Sequence, residues 1–193
     1  MFKATTTSRH SSPVSENLLN RHFTATSLAQ AWVSDITYVR TQAGWLYLTV
    51  VLDLADHQVV GWALSQSLQA CCPSVAPLKM ALQRRPLSQE LIFHSDRGVQ
   101  YACEEFRNQL KVPIKQSMSR KANCWDNAVA ESFFKTLKTE CVYHHRFENR
   151  QAAALTIFEY IEVWYNRKRM HSSLNYCTPA QMQQLLTKQE IAA

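Results

Sequence analysis

This 193-residue sequence has few glycines, no long apolar run and no C-x-x-C pair of cysteines. No stretch approaches the roughly 20 consecutive apolar residues that a membrane helix needs, so we expect no membrane partner. The N-terminal stretch MFKATTTSRHSSPVSEN lacks the apolar core of a secretory signal peptide. Together these absences favour a cytoplasmic protein.

The six cysteines form no C-x-x-C pair, which is typical of free thiols in a reducing compartment. They are Cys71, Cys72, Cys103, Cys124, Cys141 and Cys177. A zinc site built from Cys141 with His144 or His145 is the alternative, but no second half of such a site follows nearby.

The charge is basic and unevenly distributed. The formal net charge is +6, with 46% hydrophobic and 19% charged residues, a globular composition. Residues 1–110 contain nine Lys or Arg against eight Asp or Glu, whereas residues 111–193 contain twelve against seven. A basic second half favours a polyanionic partner, of which nucleic acid is the commonest, although a solvated basic face is the alternative.

Composition and periodicity divide the chain into three parts. Residues 1–25 are polar and predict an extended or disordered segment, residues 26–166 a folded core, and residues 167–193 a basic C-terminal tail. No internal repeat is present.

Five strands are predicted in the core. The stretches WVSDITYV, WLYLTVVLDL and VVGWAL are β-rich and joined by short links, which predicts an antiparallel meander. LIFH predicts a fourth, buried strand, and residues 114–116 a short edge strand. Helices are predicted from periodicity over residues 74–84, 103–111, 123–138 and 151–166. The sequence therefore predicts an α/β fold, a mixed five-stranded sheet flanked by helices.

Three carboxylates stand out by their context. Asp35 lies within a predicted strand, where an unpaired carboxylate is costly unless a metal, an arginine or solvent compensates it. Asp96 directly follows the LIFH strand, and Gly98 frees the backbone to turn there. Glu131 lies on a predicted helix, on a different stripe from Phe133 and Leu137. The alternatives are an exposed strand aspartate, an Asx-turn and a solvated Glu–Lys pair.

Together these carboxylates favour a magnesium site. Mg²⁺ takes hard oxygen ligands and keeps several waters, and Mn²⁺ is a suitable substitute. Two such ions can activate an attacking hydroxyl and stabilise the leaving oxygen of a phosphoryl displacement. Without metal, three clustered carboxylates would repel and raise one another's pKa.

The sequence also resembles a known family over residues 18–182. The blocks that carry the resemblance are WVSDITYV, GWLYLTVVLDL, VVGWALS, LIFHSDRGVQY, QSMSRKANCWDNAVAESFFKTLKTE and YNRKRMHSSLNYCTP. They are similar to successive blocks of bacterial insertion-sequence transposases of the DDE type. The similarity is to the larger, second-frame subunit, whose core is similar to retroviral integrase. Long, ordered blocks are more specific than a short motif.

The resemblance implies a ribonuclease-H-like fold and a metal-binding triad of Asp35, Asp96 and Glu131. It implies Mg²⁺-dependent cleavage and transfer of DNA strands, with two ions, during transposition and integration. The implied partners are DNA ends and target DNA, further copies of the chain on DNA, and a first-frame helix-turn-helix protein. A bacterial cytoplasmic location follows, at the nucleoid when the protein is bound to DNA.

The resemblance and the charge together suggest residues that contact DNA. The candidates are Arg97, Ser119, Arg120, Lys121, Asn123, Asn127, Lys135, Lys138, Arg169 and His171. Those between 119 and 127 precede the Glu131 helix, where a loop could hold the DNA backbone near the reacting phosphate. Trp125 either positions this loop or belongs to the core. Tyr165 and Asn166 stand beside Arg169 and His171, for which compensation of a helix dipole is the alternative role.

The resemblance has departures. Asp96 and Glu131 are separated by one residue fewer than in the family, and the missing residue falls near 110–113. Val99 replaces a usual Ser, and Ala122 a usual Gly, which costs about 1 kcal/mol if φ there is positive. The turn at 55–57 lacks the family's Ser-Arg pair.

The chain is also shorter than the family, so we expect a fragment or a product that relies on a partner to recognise DNA ends. Three hypotheses follow: a transposase core, a catalytically disabled DNA-binding remnant, and a metal-dependent nuclease on the same fold.

Overall fold

The fold is described by a computed structural model over residues 10–68, 72–87, 89–121 and 123–192. Ala122, the position where a positive φ would be costly, lies outside these residues, as do Cys71 and residues 1–9. No helix in the described ranges is long and apolar enough to cross a membrane.

The predicted mixed sheet of five strands is confirmed. The strands are β1 (Ala31–Thr41), β2 (Gly44–Asp53), β3 (Val59–Ser65), β4 (Leu91–Ser95) and β5 (Ile114–Met118). Their order across the sheet is β3-β2-β1-β4-β5. The first three strands form the predicted antiparallel meander, whereas β1–β4 and β4–β5 are parallel pairs.

Helices cover both faces of the sheet. They are α1 (Cys72–Arg84), α2 (Val99–Ala102), α3 (Glu104–Arg107), α4 (Ala128–Glu140), α5 (Arg150–Phe158) and α6 (Pro179–Ala192). Because side chains alternate along a strand, Val33 packs toward α4 and α5 while its neighbour Trp32 packs toward α1 to α3. Two apolar cores therefore sandwich the sheet.

The helix α1 lies unusually close to β3. A Cβ atom built on Gly61 would stand 2.0 Å from the carbonyl oxygen of Pro77, which is backbone and cannot move aside. Gly61 is therefore required by this close approach of helix to strand.

Two helix predictions were wrong in detail. Residues 103–111 do not form one helix, because only Glu104–Arg107 is helical: Cys103 before it has extended backbone (φ −66°, ψ 152°) and Asn108 is its C-cap. The predicted helix 151–166 is α-helical only to Phe158 and continues as a π-helix, Glu159–Tyr165. The wider turn places Tyr160 and Tyr165, five residues apart, on one buried face.

The segments flanking the core both contact it. The amide of Met118 in β5 donates to the Glu16 carbonyl (3.2 Å), and the amide of Leu18 donates to Ser117 Oγ (2.9 Å). At the other end of the chain, the amide of Ala180 in α6 donates to the Asn166 carbonyl (2.9 Å). Asn166 in turn exchanges two side-chain hydrogen bonds with the backbone of Val59.

A buried ion-pair network closes one end of the sheet. Arg85 bonds both Asp53 and Asp56, whose side chains are fully buried. Asp53 also accepts hydrogen bonds from the Trp32 indole (2.9 Å) and the Ala29 amide (2.8 Å). The network joins α1 to the ends of β1 and β2.

We expect Arg85→Ala to lower the free energy of unfolding by about 3–5 kcal/mol, because it leaves two buried aspartates without their counter-ion. The neighbouring Arg84 offers a matched control, since its ion pair with Glu162 is 40% exposed on the arginine side. Arg84→Ala should cost less than about 1 kcal/mol. Urea denaturation of both variants tests this, and equal effects would contradict it.

Candidate active site

Parallel pairing places Asp35 and Asp96 side by side. Ser34 and Ser95 form the last registered pair between β1 and β4, and the two aspartates follow directly. Residues in register on parallel strands point to the same face, and the strands lie about 4.8 Å apart. The face is the one covered by α4, because Val33 two residues earlier belongs to that core.

The surroundings of Asp35 disfavour the charged form of its carboxylate. Burial raises its pKa well above the ordinary value, and the charges of Asp96 and Glu131 raise it further. The Ile36 amide, which donates to Asp35 Oδ1 (2.7 Å), and the Lys138 ammonium partly oppose this shift. Like charges therefore converge on Asp35, which a divalent cation would relieve.

Gly98 makes room for the Asp96 carboxylate. Its amide donates to Asp96 Oδ1 (2.9 Å), and a Cβ atom on Gly98 would stand 2.9 Å from that oxygen. The φ of Gly98 is −66°, which any residue adopts, so the expected role in freeing the backbone is wrong. The glycine is needed for space beside the carboxylate.

Glu131 lies at the rim of this pair. It is exposed in the first turn of α4, and partial burial raises its pKa. The negative charge of Glu131 contributes to the raised pKa of Asp35. Among the described residues, however, no group of three or more His, Cys, Asp or Glu side chains is arranged so that it could hold a metal ion. The structure therefore joins two of the three predicted carboxylates and leaves the third nearby.

The donor set suits a hard cation. Asp35 and Asp96 supply carboxylate oxygens, the ligand type that Mg²⁺ prefers, and the charge of Asp96 adds to burial in raising the pKa of Asp35. Asp35 and Asp96 are the residues whose oxygens would hold such an ion, and Glu131 forms no three-residue metal group with them among the described residues.

The segment before α4 is held by Asp126, a residue that the sequence reasoning missed. Its buried carboxylate accepts bonds from the Arg120 side chain (2.7 and 2.8 Å), the Arg120 amide (2.9 Å), Arg21 Nε (2.8 Å) and Asn17 Nδ2 (2.9 Å). The Arg120 hydrogen bonds hold the pKa of Asp126 far below its usual range. The available signal was its place near the start of the predicted helix 123–138, where Asp commonly caps.

Three of the proposed DNA-contact residues have structural bonds in this region. Ser119 is buried and hydrogen-bonded to His94 Nε2 (3.2 Å), whose other nitrogen is bonded to Ser117 Oγ (2.8 Å). Burial lowers the pKa of His94 to about 4, so it is neutral at physiological pH. Asn127 is also buried and donates to the Ser34 carbonyl (3.2 Å), while Arg120 bonds Asp126.

The remaining candidates are distributed over a wide surface. Lys121 and Lys135 are exposed, Arg97 and Asn123 are half-buried, and Trp125 is 69% exposed and thus outside the core. Lys138 lies with its Nζ 5.0 Å from the centre of the Tyr38 ring.

The cluster after the π-helix is internally paired. Arg169 bonds Glu140 at the end of α4 (2.8 Å), and the rings of His171 and Tyr165 make an edge contact at 5.0 Å. Burial and the Arg169 charge lower the pKa of His171 to about 4, so it carries no charge at neutral pH.

The chain matches two protein-family models. Two models described as integrase core domain match residues 25–124 and residues 112–179. The first match alone covers more than half of the chain, and it contains both Asp35 and Asp96; the second contains Glu131.

The chain is also similar to proteins of bacterial insertion elements. It is 47% identical over 180 residues to an uncharacterized 31 kDa protein of insertion element IS600 from Shigella sonnei, covering 93% of this chain and 66% of that protein. It is 46% identical over 175 residues to transposase InsF for insertion sequence IS3A of Escherichia coli K12, covering 90% and 60%. The chain thus spans less than two thirds of the length of these relatives.

Solved structures show the same fold at low identity. The catalytic core domain of BIV integrase has a TM-score of 0.60 at 16% identity and covers 84% of this chain and 99% of its own. The HTLV-2 integrase catalytic core domain in complex with magnesium has a TM-score of 0.57 at 16% identity, covering 81% and 97%. These likenesses confirm the ribonuclease-H-like fold.

We expect Asp35→Asn to raise the free energy of unfolding at neutral pH by about 0.5–2 kcal/mol, since it removes a buried, repelled charge. A raised pKa in the folded state means that the native protein binds the proton more tightly. The gain is therefore absent at pH below about 3.9, where both states are protonated, and grows as pH rises.

Asp126→Asn is the matched control and should act in the opposite direction. The pKa of Asp126 is lowered, so its contribution is present above the unfolded pKa and is lost as pH falls through the folded value. Thermal unfolding across pH distinguishes the two, and destabilisation by Asp35→Asn would contradict the electrostatic account.

Proposed function

This chain belongs to the integrase core domain family, and we propose that it is the catalytic core of a DNA transposase. In this proposal Asp35, Asp96 and Glu131 carry metal-dependent cleavage and joining of DNA strands. The single observation that supports it most is the parallel register that sets Asp35 beside Asp96 on the face covered by the Glu131 helix.

The metal would be held by Asp35 and Asp96, with Glu131 as the third ligand. When bound, Mg²⁺ activates the attacking hydroxyl and stabilises the leaving oxygen at the phosphate. HTLV-2 integrase, a structural neighbour, was solved in complex with magnesium. We further propose two ions, because two carboxylates and a nearby third supply enough oxygens for a shared site.

The protein's own groups orient the reaction. The backbone amides of Ile36 and Gly98 each bond one oxygen of an aspartate and fix the direction of both carboxylates. Glu131 is exposed, so a change of its side-chain rotamer can bring it toward the pair. Water would act as the nucleophile for cleavage and a DNA 3′-hydroxyl for joining.

DNA is the proposed partner of the basic surface around this site. Lys121 is exposed before the Glu131 helix and Lys135 is exposed on it, so both can contact phosphates near the reacting one. Arg97 and Lys138 flank the same carboxylates, whereas Arg169 and His171 are engaged with Glu140 and Tyr165. We assign Lys121, Lys135, Arg97 and Lys138 to DNA contact. We assign Arg169 and His171 to stabilising the end of α4.

Assembly on DNA is part of the same proposal. One structural neighbour is a simian T-cell lymphotropic virus intasome, with a TM-score of 0.68 at 16% identity. Processing two DNA ends together requires at least two catalytic cores, so we propose a homo-oligomer on DNA. A first-frame helix-turn-helix protein is the proposed partner for end recognition.

A catalytically disabled DNA-binding remnant is the second candidate function. It is favoured by the position of Glu131, which does not form a closed three-residue metal group with the aspartates. The link between Asp96 and Glu131, one residue shorter than the resemblance implies, supports the same alternative. Retained DNA binding without metal-dependent product would establish it.

Glu131→Gln tests the proposed catalysis. We expect the parent to join pre-cut element ends to target DNA with Mg²⁺ or Mn²⁺, and the variant to lose at least about 100-fold in rate, because loss of a metal ligand costs at least as much as loss of a group that orients one. Glu104→Gln is the control, since Glu104 is also exposed in the first turn of a helix, α3.

Glu104→Gln should retain the parent rate. Equal rates for the parent and Glu131→Gln would remove Glu131 from the site, and cleavage without joined product would favour a nuclease.

A further inference from the structure

A groove of about 680 Å³ opens between the β1–β2 hairpin and the end of α4. We call it the hairpin groove. The residues that shape it are Tyr38, Arg40, Trp45, Lys138, Tyr143 and Arg146. None of them is one of the three carboxylates, although Lys138 also acts electrostatically on Asp35, and the groove combines cationic with aromatic side chains.

The charged side chains that line the groove are all positive. Arg40 and Arg146 are exposed and Lys138 is half-buried, and none of the described residues that line the groove is acidic. Arg85 and Arg169, in contrast, are each neutralised by a carboxylate partner. The groove is therefore prepared for an anionic ligand.

Aromatic rings are presented on both walls. Tyr143 is 71% exposed, and the rings of Tyr38 and Trp45 meet edge to face at 5.0 Å. His145 is stacked on Phe147 with centroids 5.5 Å apart and planes within 4°. Flat, exposed faces beside positive charge are what successive bases of a single strand stack on.

The walls are held together by backbone contacts. The amide of Gln42 in the hairpin donates to the Phe147 carbonyl (3.0 Å), and Arg150 Nε donates to the Trp45 carbonyl (3.2 Å). The groove thus exists before any ligand arrives, which lowers the entropic cost of binding.

The groove adjoins the carboxylate site. Tyr38 and Arg40, which line the groove, lie three and five residues after Asp35 on β1. Lys138 belongs to the groove and also acts electrostatically on Asp35. It lies seven residues after Glu131 on α4, a rise of about 10 Å.

We propose that the hairpin groove binds an unpaired DNA strand leading away from the carboxylate site, with phosphates on Arg40, Lys138 and Arg146 and a base stacked on Tyr143. A duplex would offer phosphates to the cations but no base face to the rings, so the aromatic walls favour a single strand. The proposal rests on the proposed function, since it supplies the strand that the core acts on.

Anisotropy of a labelled oligothymidine strand and of a duplex of the same length, both without metal, tests the proposal. Tyr143→Ala should weaken single-strand binding by about tenfold, because one base can no longer stack. Arg40→Glu with Arg146→Glu should also reduce the salt slope by about 0.7 for each phosphate that the protein no longer neutralises.

Matched controls exist elsewhere on the chain. Tyr176 is likewise 71% exposed, and Arg107 and Lys111 are exposed cations on the side of the sheet facing away from α4. Tyr176→Ala, and Arg107→Glu with Lys111→Glu, should leave single-strand binding as in the parent. Equal losses in the groove and control variants, or equal losses for strand and duplex, would overturn the proposal.

Photocrosslinking of the unmodified protein to a bromodeoxyuridine strand gives a second readout that no variant's folding affects. Adducts within residues 38–45 or 142–147 support the groove, and adducts confined to other segments overturn it. Joined product from the parent with unchanged binding by groove variants would leave the proposed function intact and refute the groove. Single-strand binding that is lost in the groove variants, together with no joined product from the parent, would support the groove and refute the proposed function.

Discussion

The parallel pairing of β1 with β4 is the constraint on which the site depends. Asp35 and Asp96 follow the last registered pair, so the hydrogen bonds of two buried strands fix the separation of their backbones. The carboxylates repel, yet they cannot separate without disrupting strands that also carry Trp32 and Phe93 in one apolar core. Cooperative packing of the sheet therefore maintains a local electrostatic cost, which adds to burial, the larger cause, in raising the pKa of Asp35.

The strands were predictable because their signal is local. Runs of β-branched and aromatic residues located β1 to β3 and their antiparallel order, and the helical stripe placed Glu131 away from the buried Phe133 and Leu137. The early end of the predicted helix at Arg107 was not predictable, because Phe106 and Leu110 keep helical spacing beyond it. The gap between Glu131 and the aspartates is likewise a tertiary property that the order of motifs does not contain.

The bonds that hold the site together were the hardest to anticipate. Asp126 binds Arg21, 105 residues earlier, and Arg85 binds Asp53 across 32 residues. Each of these charges, taken singly in the sequence, is consistent with a solvated surface residue. Arg120 illustrates the consequence: its place before the Glu131 helix predicts a DNA contact, and in the structure its guanidinium bonds Asp126.

The contact between residues 15–19 and β5 also covers one edge of the sheet. β5 is the last strand of the sheet, and its Met118 amide and Ser117 hydroxyl are bonded by the segment around Glu16 and Leu18. A shorter chain that began at residue 26 would uncover this edge, and uncovered strand edges recruit other strands. The same cut would remove Arg21 from Asp126. A polar stretch that looks dispensable thus acts as a protective cover against edge-to-edge aggregation.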